Sequence, residues 1–204
     1  GEKLGPFLWQ FPPSMKFDED RFARFFELLP HTRKAARERA QGCAERLKGN
    51  GSLAIKGNAR LRHAVEIRHE SFLCEAFIKL LRKHRMALVV ADSAGKWPCV
   101  EDLTADFVYI RLHGDVELYS SGYTARALRR WKQRIQQWSE GTQADDAHLV
   151  VPGPPPRRAA RDVYCYFDND QKAHAPYDAR RLLQKLSLDH ELMTEPGMVP
   201  EVAL

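Results

Sequence analysis

Residues 86–92 read Met-Ala-Leu-Val-Val-Ala-Asp, a nearly continuous apolar run that ends in a carboxylate. A strand that is apolar on both faces is typical of a parallel sheet with helices packed against it. A segment with helically spaced apolar residues, 71–85, precedes the run, and a second strand-like run, 107–112, follows it after a loop that contains Gly and Pro. This central stretch therefore predicts a strand–helix–strand unit with parallel strands.

The same alternation extends in both directions. The predicted elements are strands at 5–11, 62–69 and 162–167, and helices at 21–29, 31–47, 124–138 and 179–186, with Asp18 and Thr124 as N-caps. Five strand–helix units predict an α/β fold of the parallel (β/α) TIM-barrel type, apparently incomplete. An open doubly wound sheet is the alternative, but it usually carries a Gly-rich loop after its first strand, where this chain has Pro12-Pro13.

Composition bounds the class of protein. The chain has 204 residues, 44% hydrophobic and 29% charged, which is globular composition and excludes a disordered or collagen-like chain. No run of eighteen apolar residues exists, so no membrane partner is expected. Four separated cysteines predict reduced thiols and a cytoplasmic location. We expect one domain over residues 1–190, with a Pro-rich inserted loop at 141–161, and a loose tail at 191–204.

Polar side chains collect near the carboxyl ends of the predicted strands. Side chains alternate between the two faces of a strand, so Glu66 and Arg68 share one face, and Arg111 and His113 share one face of a later strand. Buried charges of this kind are costly unless they are paired. Their concentration at one end of the sheet predicts a polar site at the mouth of a barrel.

These residue types suggest acid–base chemistry on an anionic ligand. The arginines are suited to hold a carboxylate or phosphate, while carboxylates and imidazoles are suited to move protons. The candidate catalytic residues are Glu66 or Asp92 as base and His69 or His113 as acid; the candidate ligand-binding residues are Gln10, Arg68, Arg111, Tyr119, Asp168 and Asn169. A hydrolase or isomerase acting on a small anionic or phosphorylated ligand is the leading hypothesis. In the structural alternative, Glu66 only forms buried ion pairs with Arg68 or Arg111.

Two further hypotheses concern a metal and a nucleic acid. A divalent metal (Mn, Zn or Mg) could bind among the carboxylates and imidazoles of the mouth, with Asp170 and His174 as additional ligands, although none has the spacing of a known metal motif. The alternative function is a non-catalytic nucleic-acid-binding module that uses basic outer helices. The basic residues in question are Arg33, Lys34, Arg37 and Arg39 in one helix, and Arg126, Arg129, Arg130, Lys132 and Arg134 in another.

Several motifs resemble one known family in order and in spacing. They are Leu-Gly-Pro-Phe-Leu-Trp-Gln-Phe-Pro-Pro at 4–13, Val-Glu-Ile-Arg-His at 65–69, Val-Ala-Asp-Ser at 90–93, Ala-Asp-Phe-Val-Tyr-Ile-Arg-Leu-His-Gly at 105–114, and Tyr-Phe-Asp-Asn-Asp at 166–170 with His-Ala-Pro at 174–176. The chain resembles the YecE-like family, a domain of unknown function, over most of residues 4–186.

The resemblance implies a TIM barrel and supplies no settled activity. Members of that family carry three more strand–helix units before the Leu-Gly-Pro segment, so the chain looks like strands four to eight. The Pro-rich segment at 141–161 departs from the usual family pattern, in which the seventh helix leads more directly to the last strand.

Overall fold

The computed structural model describes residues 4–41 and 53–191. Its strands are β1 (Phe7–Gln10), β2 (His63–Glu66), β3 (Ala87–Asp92), β4 (Phe107–Leu112) and β5 (Asp162–Phe167), and its α-helices are α1 (Glu19–Leu28), α2 (Arg33–Gln41), α3 (Glu75–His84), α4 (Ala125–Ser139) and α5 (His174–Leu186). The strands form one sheet in chain order, and every neighbouring pair is parallel. This is the α/β, TIM-barrel-like arrangement that the alternation predicts.

Local sequence signals account for the helix boundaries. The Asp18 side chain accepts a hydrogen bond from the Arg21 backbone N–H at 2.9 Å, which caps α1. The Thr124 hydroxyl accepts one from Ala127 at 3.1 Å and caps α4. Helix α3 ends at His84, and its C-cap Arg85 has a φ of 55°, in the left-handed region common at helix C-termini. The two predicted N-caps are thus confirmed.

The two faces of the sheet differ in composition. The outer face packs under the helices and contains two large apolar clusters, one around Phe22, Phe26 and Phe77, the other around Trp131 and Trp138. The inner face has small residues on β2 and β3 (Ala64, Ala87, Ala91) and aromatic rings on β4 and β5 (Phe107, Tyr109, Tyr164). Because no helix of the described residues packs in the inner cluster, the polar strand ends on this face are available to form a site.

The strand register places the carboxyl ends of the strands at one level. Gln10 lies beside Glu66 in the β1–β2 pair, and Arg111 lies beside Tyr166 in the β4–β5 pair. In a parallel sheet all strands end at the same edge. The residues at and just after these ends therefore meet above the inner face.

Several element boundaries differ from the sequence predictions. Strand β2 stops at Glu66, and a 3₁₀ turn at Glu70–Phe72 precedes α3, so the predicted helix at 71–85 begins late. Helix α5 begins at His174, five residues before the predicted start, and has no side-chain N-cap to signal it. Residues 141–161 contain no helix or strand. The predicted continuation of α2 to residue 47, the loop at 49–52, Cys43 and most of the tail at 191–204 lie outside the described residues.

Candidate functional site

A buried carboxylate lies at the centre of the site formed by the carboxyl ends of the strands. Glu66, the last residue of β2, is fully buried, with 0% of its surface exposed. Arg68 Nε donates to its Oε1 at 2.9 Å, and Arg111 Nη1 donates to its Oε2 at 2.5 Å. One carboxylate thus orients two guanidinium groups, and both ion pairs considered from the sequence are present.

The Gln10 side chain ties the two arginines together. Its Oε1 accepts a hydrogen bond from Arg68 Nη2 at 2.7 Å and from Arg111 Nη1 at 2.9 Å. The side chains of both arginines nevertheless remain partly open to solvent, at 12% and 16% exposure. Burial disfavours the charge of Arg111, but its bonds to Glu66 and the nearby Asp168 raise its pKa overall. The cluster, which we call the mouth cluster (Gln10, Glu66, Arg68, Arg111, His113 and Asp168), therefore contains two fixed, charged and partly accessible donors.

Asp168 and His113 complete the mouth cluster. Asp168 follows β5, and its Oδ2 forms an ion pair with Arg111 Nη2. The same oxygen lies 3.5 Å from His113 Nδ1. His113 is fully buried, and neither of its ring nitrogens has a hydrogen-bond partner among the residues that the structure describes. Burial, aided by the charge of Arg111, lowers the pKa of His113, so its imidazole is neutral at pH 7.

Two aromatic side chains from loops, those of Trp97 and Tyr119, line the mouth cluster. The Arg68 guanidinium carbon lies 3.7 Å from the centre of the Trp97 ring, a close cation–π contact. Tyr119 packs edge-on against His113 with ring centroids 5.3 Å apart, and Trp97 does so at 6.1 Å. Tyr119 adopts a left-handed φ of 63°, and its N–H donates to the His113 carbonyl. The loop thus holds Tyr119 over the imidazole.

Glycine is required where this loop leaves β4. Gly114 has a φ of 131°, and a Cβ on it would collide with the Glu117 carbonyl oxygen. The tight turn that Gly114 allows brings the chain back so that Tyr119 covers His113.

Asp92 lies apart from the mouth cluster. It shares the outer face of β3 with Leu88 and Val90, which pack under helices. Its carboxylate accepts a hydrogen bond from the Tyr123 hydroxyl at 3.2 Å, and burial raises its pKa. It lines a separate cavity of about 730 Å³ beside α4, together with Asp115.

His69 and Asn169 have partners of their own. His69 Nδ1 accepts from the Ser71 backbone N–H at 3.0 Å and caps the 3₁₀ turn before α3. It also lines a groove of about 420 Å³ that reaches Arg68 and Trp97. Asn169 is fully buried, and its amide donates to the Ser121 carbonyl and to Asp178, so it fixes the loop after β4.

The described residues offer no ready-made metal centre. Across residues 4–41 and 53–191, no three His, Cys, Asp or Glu side chains come together in a group that could hold a metal ion. The expected ligands Asp92, Asp168 and His69 have the separate partners given above. In the same ranges, no helix is both long and apolar enough to cross a membrane.

The basic helix α4 is only partly available to a partner. Arg134 is buried in an ion pair with Glu101, while Arg126, Arg129 and Arg130 are exposed. In α2, Arg33 donates to the Lys56 carbonyl at 2.7 Å. The exposed α4 arginines lie on the opposite side of the sheet from the mouth cluster, because α4 packs on the outer face.

Trp97 is the site residue that sequence reasoning missed. It lies in an irregular loop five residues after β3, where neither periodicity nor a motif marks it. The only available signal was its position shortly after a strand's carboxyl end, where barrel proteins commonly place site residues.

The comparison with protein families identifies the chain's class. The family model described as "Protein of unknown function DUF72" matches residues 1–203, and the chain belongs to this family. The YecE-like family is this same family, so the resemblance seen in the motifs is confirmed. Among curated proteins, none shows significant sequence similarity to the chain.

Solved structures with the same fold also belong to this family. A DUF72 family protein from Thermotoga maritima MSB8 is 22% identical with a TM-score of 0.59, over 91% of this chain and 59% of that one. Two crystal structures of a DUF72 family protein from Enterococcus faecalis V583 are 16% identical, with TM-scores of 0.61 and 0.58, over 97% and 92% of this chain and 64% and 62% of theirs. The chain thus spans about three fifths of the length of these structures.

Proposed function

We propose that the chain binds a small anionic ligand, of the carboxylate or phosphate class, at the mouth cluster. One observation carries the proposal: a single buried carboxylate and one amide oxygen hold two partly accessible guanidinium groups side by side. Guanidinium groups fixed in this way match the oxygens of a carboxylate or phosphate.

The local charge supports this choice of ligand. Two arginines face Glu66 and Asp168, so the formal charge of the four groups is zero with Asp168 in place. An anion that displaces the half-exposed Asp168 from Arg111 would leave a local surplus of one positive charge for the ligand. Within the described residues no protein group accepts a hydrogen bond from Arg68 Nη1, which is consequently available to the same ligand.

In the catalytic form of the proposal, the chain is a hydrolase or isomerase. Glu66 then acts mainly by positioning, since both of its oxygens are bound by arginines, and His113 is the proton-transfer group nearest to the anion. Asp92 and His69 receive less support, because their partners lie outside the mouth cluster. We also take β1–β5 to be the later part of a TIM barrel, as the resemblance of the motifs to the YecE-like family implies; the chain covers 59% and 64% of two solved structures of the family.

Anion binding to purified variants tests the proposal. Inorganic sulfate at about a hundred times its Kd adds about 2.7 kcal/mol of stability, which is about 5–10 °C in Tm for a chain of this size. We expect this shift in the wild type and its loss in Arg68→Met and Arg111→Met. Arg129→Met is the matched control, because Arg129 is exposed on the outer helix α4. A shift that survives in both mouth variants and disappears in the control would place the anion on α4 and overturn the proposal.

A further inference from the structure

One buried side chain of the mouth cluster has no hydrogen-bond partner. His113 is fully buried, yet neither Nδ1 nor Nε2 is satisfied by any residue that the structure describes. Buried polar groups in native proteins are nearly always hydrogen-bonded, and each exception calls for an explanation. By contrast, His63 is equally buried and uses both nitrogens, one with Trp9 and one with the Pro30 carbonyl.

The nearest acceptor for His113 is already engaged. Asp168 Oδ2 contacts Arg111 Nη2 and lies 3.5 Å from His113 Nδ1, just beyond hydrogen-bond range. A small rotation of the Asp168 carboxylate would exchange one cation for the other. The Asp168 carboxylate thus lies between Arg111, which is permanently charged, and His113, which becomes a cation when it is protonated.

Burial is the largest cause of the lowered pKa of His113, and two anionic and two cationic side chains act on the imidazole beside it. Glu66 from β2 and Asp168 from the segment after β5 favour its protonation, while Arg111 from β4 and Arg68 from the segment after β2 oppose it. The two rings packed against it belong to Trp97 and Tyr119. One negative charge added near Arg111 would favour the protonated, imidazolium form of His113.

We propose that anion binding at the mouth cluster is coupled to uptake of a proton by His113. The ligand anion takes the place of Asp168 on Arg111, Asp168 turns to His113 Nδ1, and the imidazole gains a proton from solvent as that N–H···O contact closes. This inference rests on the proposed function. It specifies the ligand as an oxyanion that enters with a proton, and it leaves a charged His113 beside the bound ligand as its proton donor.

The free protein and the charge balance of the bound state both agree with this sequence of events. The lowered pKa of His113 means that the proton is absent before the ligand arrives. With the ligand bound, Arg68, Arg111 and His113 would face Glu66 and Asp168, a surplus of one positive charge that suits a ligand of charge −1 or −2.

Calorimetry of sulfate binding tests the coupling. Sulfate is a suitable probe because it stays a dianion across the working range, so any proton taken up must go to the protein. Titrations at pH 7 in Tris and in HEPES, which differ in ionisation enthalpy, measure that uptake. We expect about one proton per sulfate in the wild type, and an affinity that rises up to about tenfold per pH unit as pH falls from 8 to 6.

Two variants make the test specific to the geometry. His113→Gln should bind sulfate without proton uptake and with a flat pH profile. Asp168→Asn removes the competitor on Arg111 and the acceptor for the imidazolium, so it should bind sulfate more tightly and take up less proton. Because the two variants change different groups, the test survives if one of them does not fold.

The outcomes separate this inference from the proposed function. Sulfate binding that depends on Arg68 but involves no proton uptake overturns the inference and leaves the proposed function standing. Uptake that persists unchanged in His113→Gln also overturns it, because another group then takes the proton. No sulfate binding at all removes both.

Discussion

Two buried Glu–Arg clusters lie on opposite sides of the sheet. On the outer side, Glu101 accepts two hydrogen bonds from Arg134 and one from the His148 backbone N–H, and Asp146 adds a second carboxylate to the guanidinium. In the mouth cluster, one Glu66 serves two arginines. Only 4% of the Arg134 side chain is exposed, against 12% and 16% for Arg68 and Arg111.

The difference separates a structural ion pair from a binding site. Backbone N–H groups cover the outer pair. Glu101 and its neighbour Asp102 accept hydrogen bonds from the N–H groups of His148, Val150 and Val151, which anchors the segment between α4 and β5. The mouth cluster keeps accessible guanidinium donors and a histidine whose ring nitrogens find no hydrogen-bond partner in the part of the chain that the structure describes. Buried charge alone therefore does not mark a site; the mouth cluster differs from the outer pair by combining buried charge with accessible donors.

The largest expected effect comes from removing each central carboxylate. Glu101→Gln leaves the buried Arg134 with only the exposed Asp146 as counter-ion. Glu66→Gln removes the carboxylate of Arg68 and leaves Arg111 with Asp168 alone. Breaking a buried pair costs about 3–5 kcal/mol, with the upper end expected at Glu101 because Arg134 is the least exposed. Urea unfolding measures the loss.

The two variants should differ in binding even though both lose stability. We expect Glu66→Gln to change the affinity for sulfate and Glu101→Gln to leave it unaltered, as measured by calorimetry on folded protein. The comparison fails if Glu101→Gln alters the affinity, or if Glu66→Gln leaves it at the wild-type value.

The alternation of side chains predicted most of the mouth cluster. Glu66 and Arg111 lie in strands whose polar and apolar faces differ, and Asp168 directly follows such a strand, so their common side could be inferred. Asp92 could not be placed in this way. Alternation puts it on one face of β3 with Leu88 and Val90, but because β3 is apolar on both faces, its pattern does not say whether that face is the inner or the outer face of the sheet. Its inner face is made of Ala87, Val89 and Ala91, and Asp92 lies on the other.

Loop geometry limited the remaining predictions. The sequence placed Arg68 and Arg111 on one side of the sheet, and the structure has both bound to Gln10. Trp97 and the loop that holds Tyr119 over His113 depend on irregular backbone, including a left-handed Tyr119. Asn169 was expected to bind ligand, and its bonds to Ser121 and Asp178 became visible only from the packing of α5. Periodicity carries no information about such contacts.

Acidification should lower the free energy of unfolding, and we expect the mouth cluster to contribute more to this loss than the outer cluster. Burial lowers the pKa of His113, as it does for His63 and His84. The unfolded chain then takes up protons near pH 6.5, before the folded chain does, so stability is full above that pH and falls below it. Each histidine contributes up to about 1.4 kcal/mol per pH unit.

Unfolding free energies between pH 5 and 8, in steps, would measure this effect. His113→Gln should reduce the slope of the profile and leave the share that His63 and His84 contribute. His148→Gln should reduce the slope less, because the His148 ring of the outer cluster is exposed. Equal effects of the two substitutions would contradict the assignment of the titrating histidine to the mouth cluster.

A smaller effect is expected from the ring that lies against Arg68. Trp97→Leu removes a cation–π contact worth about 1 kcal/mol and frees Arg68 to move, so sulfate affinity should drop by about fivefold. Trp97→Phe keeps a ring and should lose less. Equal losses in the two variants would show that the aromatic face does not hold Arg68.

The smallest effect is expected on the outer helix. Reversing the charges of the exposed residues Arg129 and Arg130 to Glu should change sulfate affinity by less than about twofold, because screening weakens interactions across the sheet at physiological salt. If this double variant instead abolishes binding of sulfate or of a DNA oligonucleotide, the result would favour a nucleic-acid-binding function on the outer helices over anion binding at the mouth cluster.

The most direct measurement locates a bound anion. Crystals of the chain with selenate in place of sulfate, measured at the selenium absorption edge, would show the anion by its anomalous signal. The account predicts a peak in contact with Arg68 and Arg111, with Asp168 turned from Arg111 towards His113. A peak confined to the arginines of α4, with the Asp168–Arg111 pair intact, would contradict it.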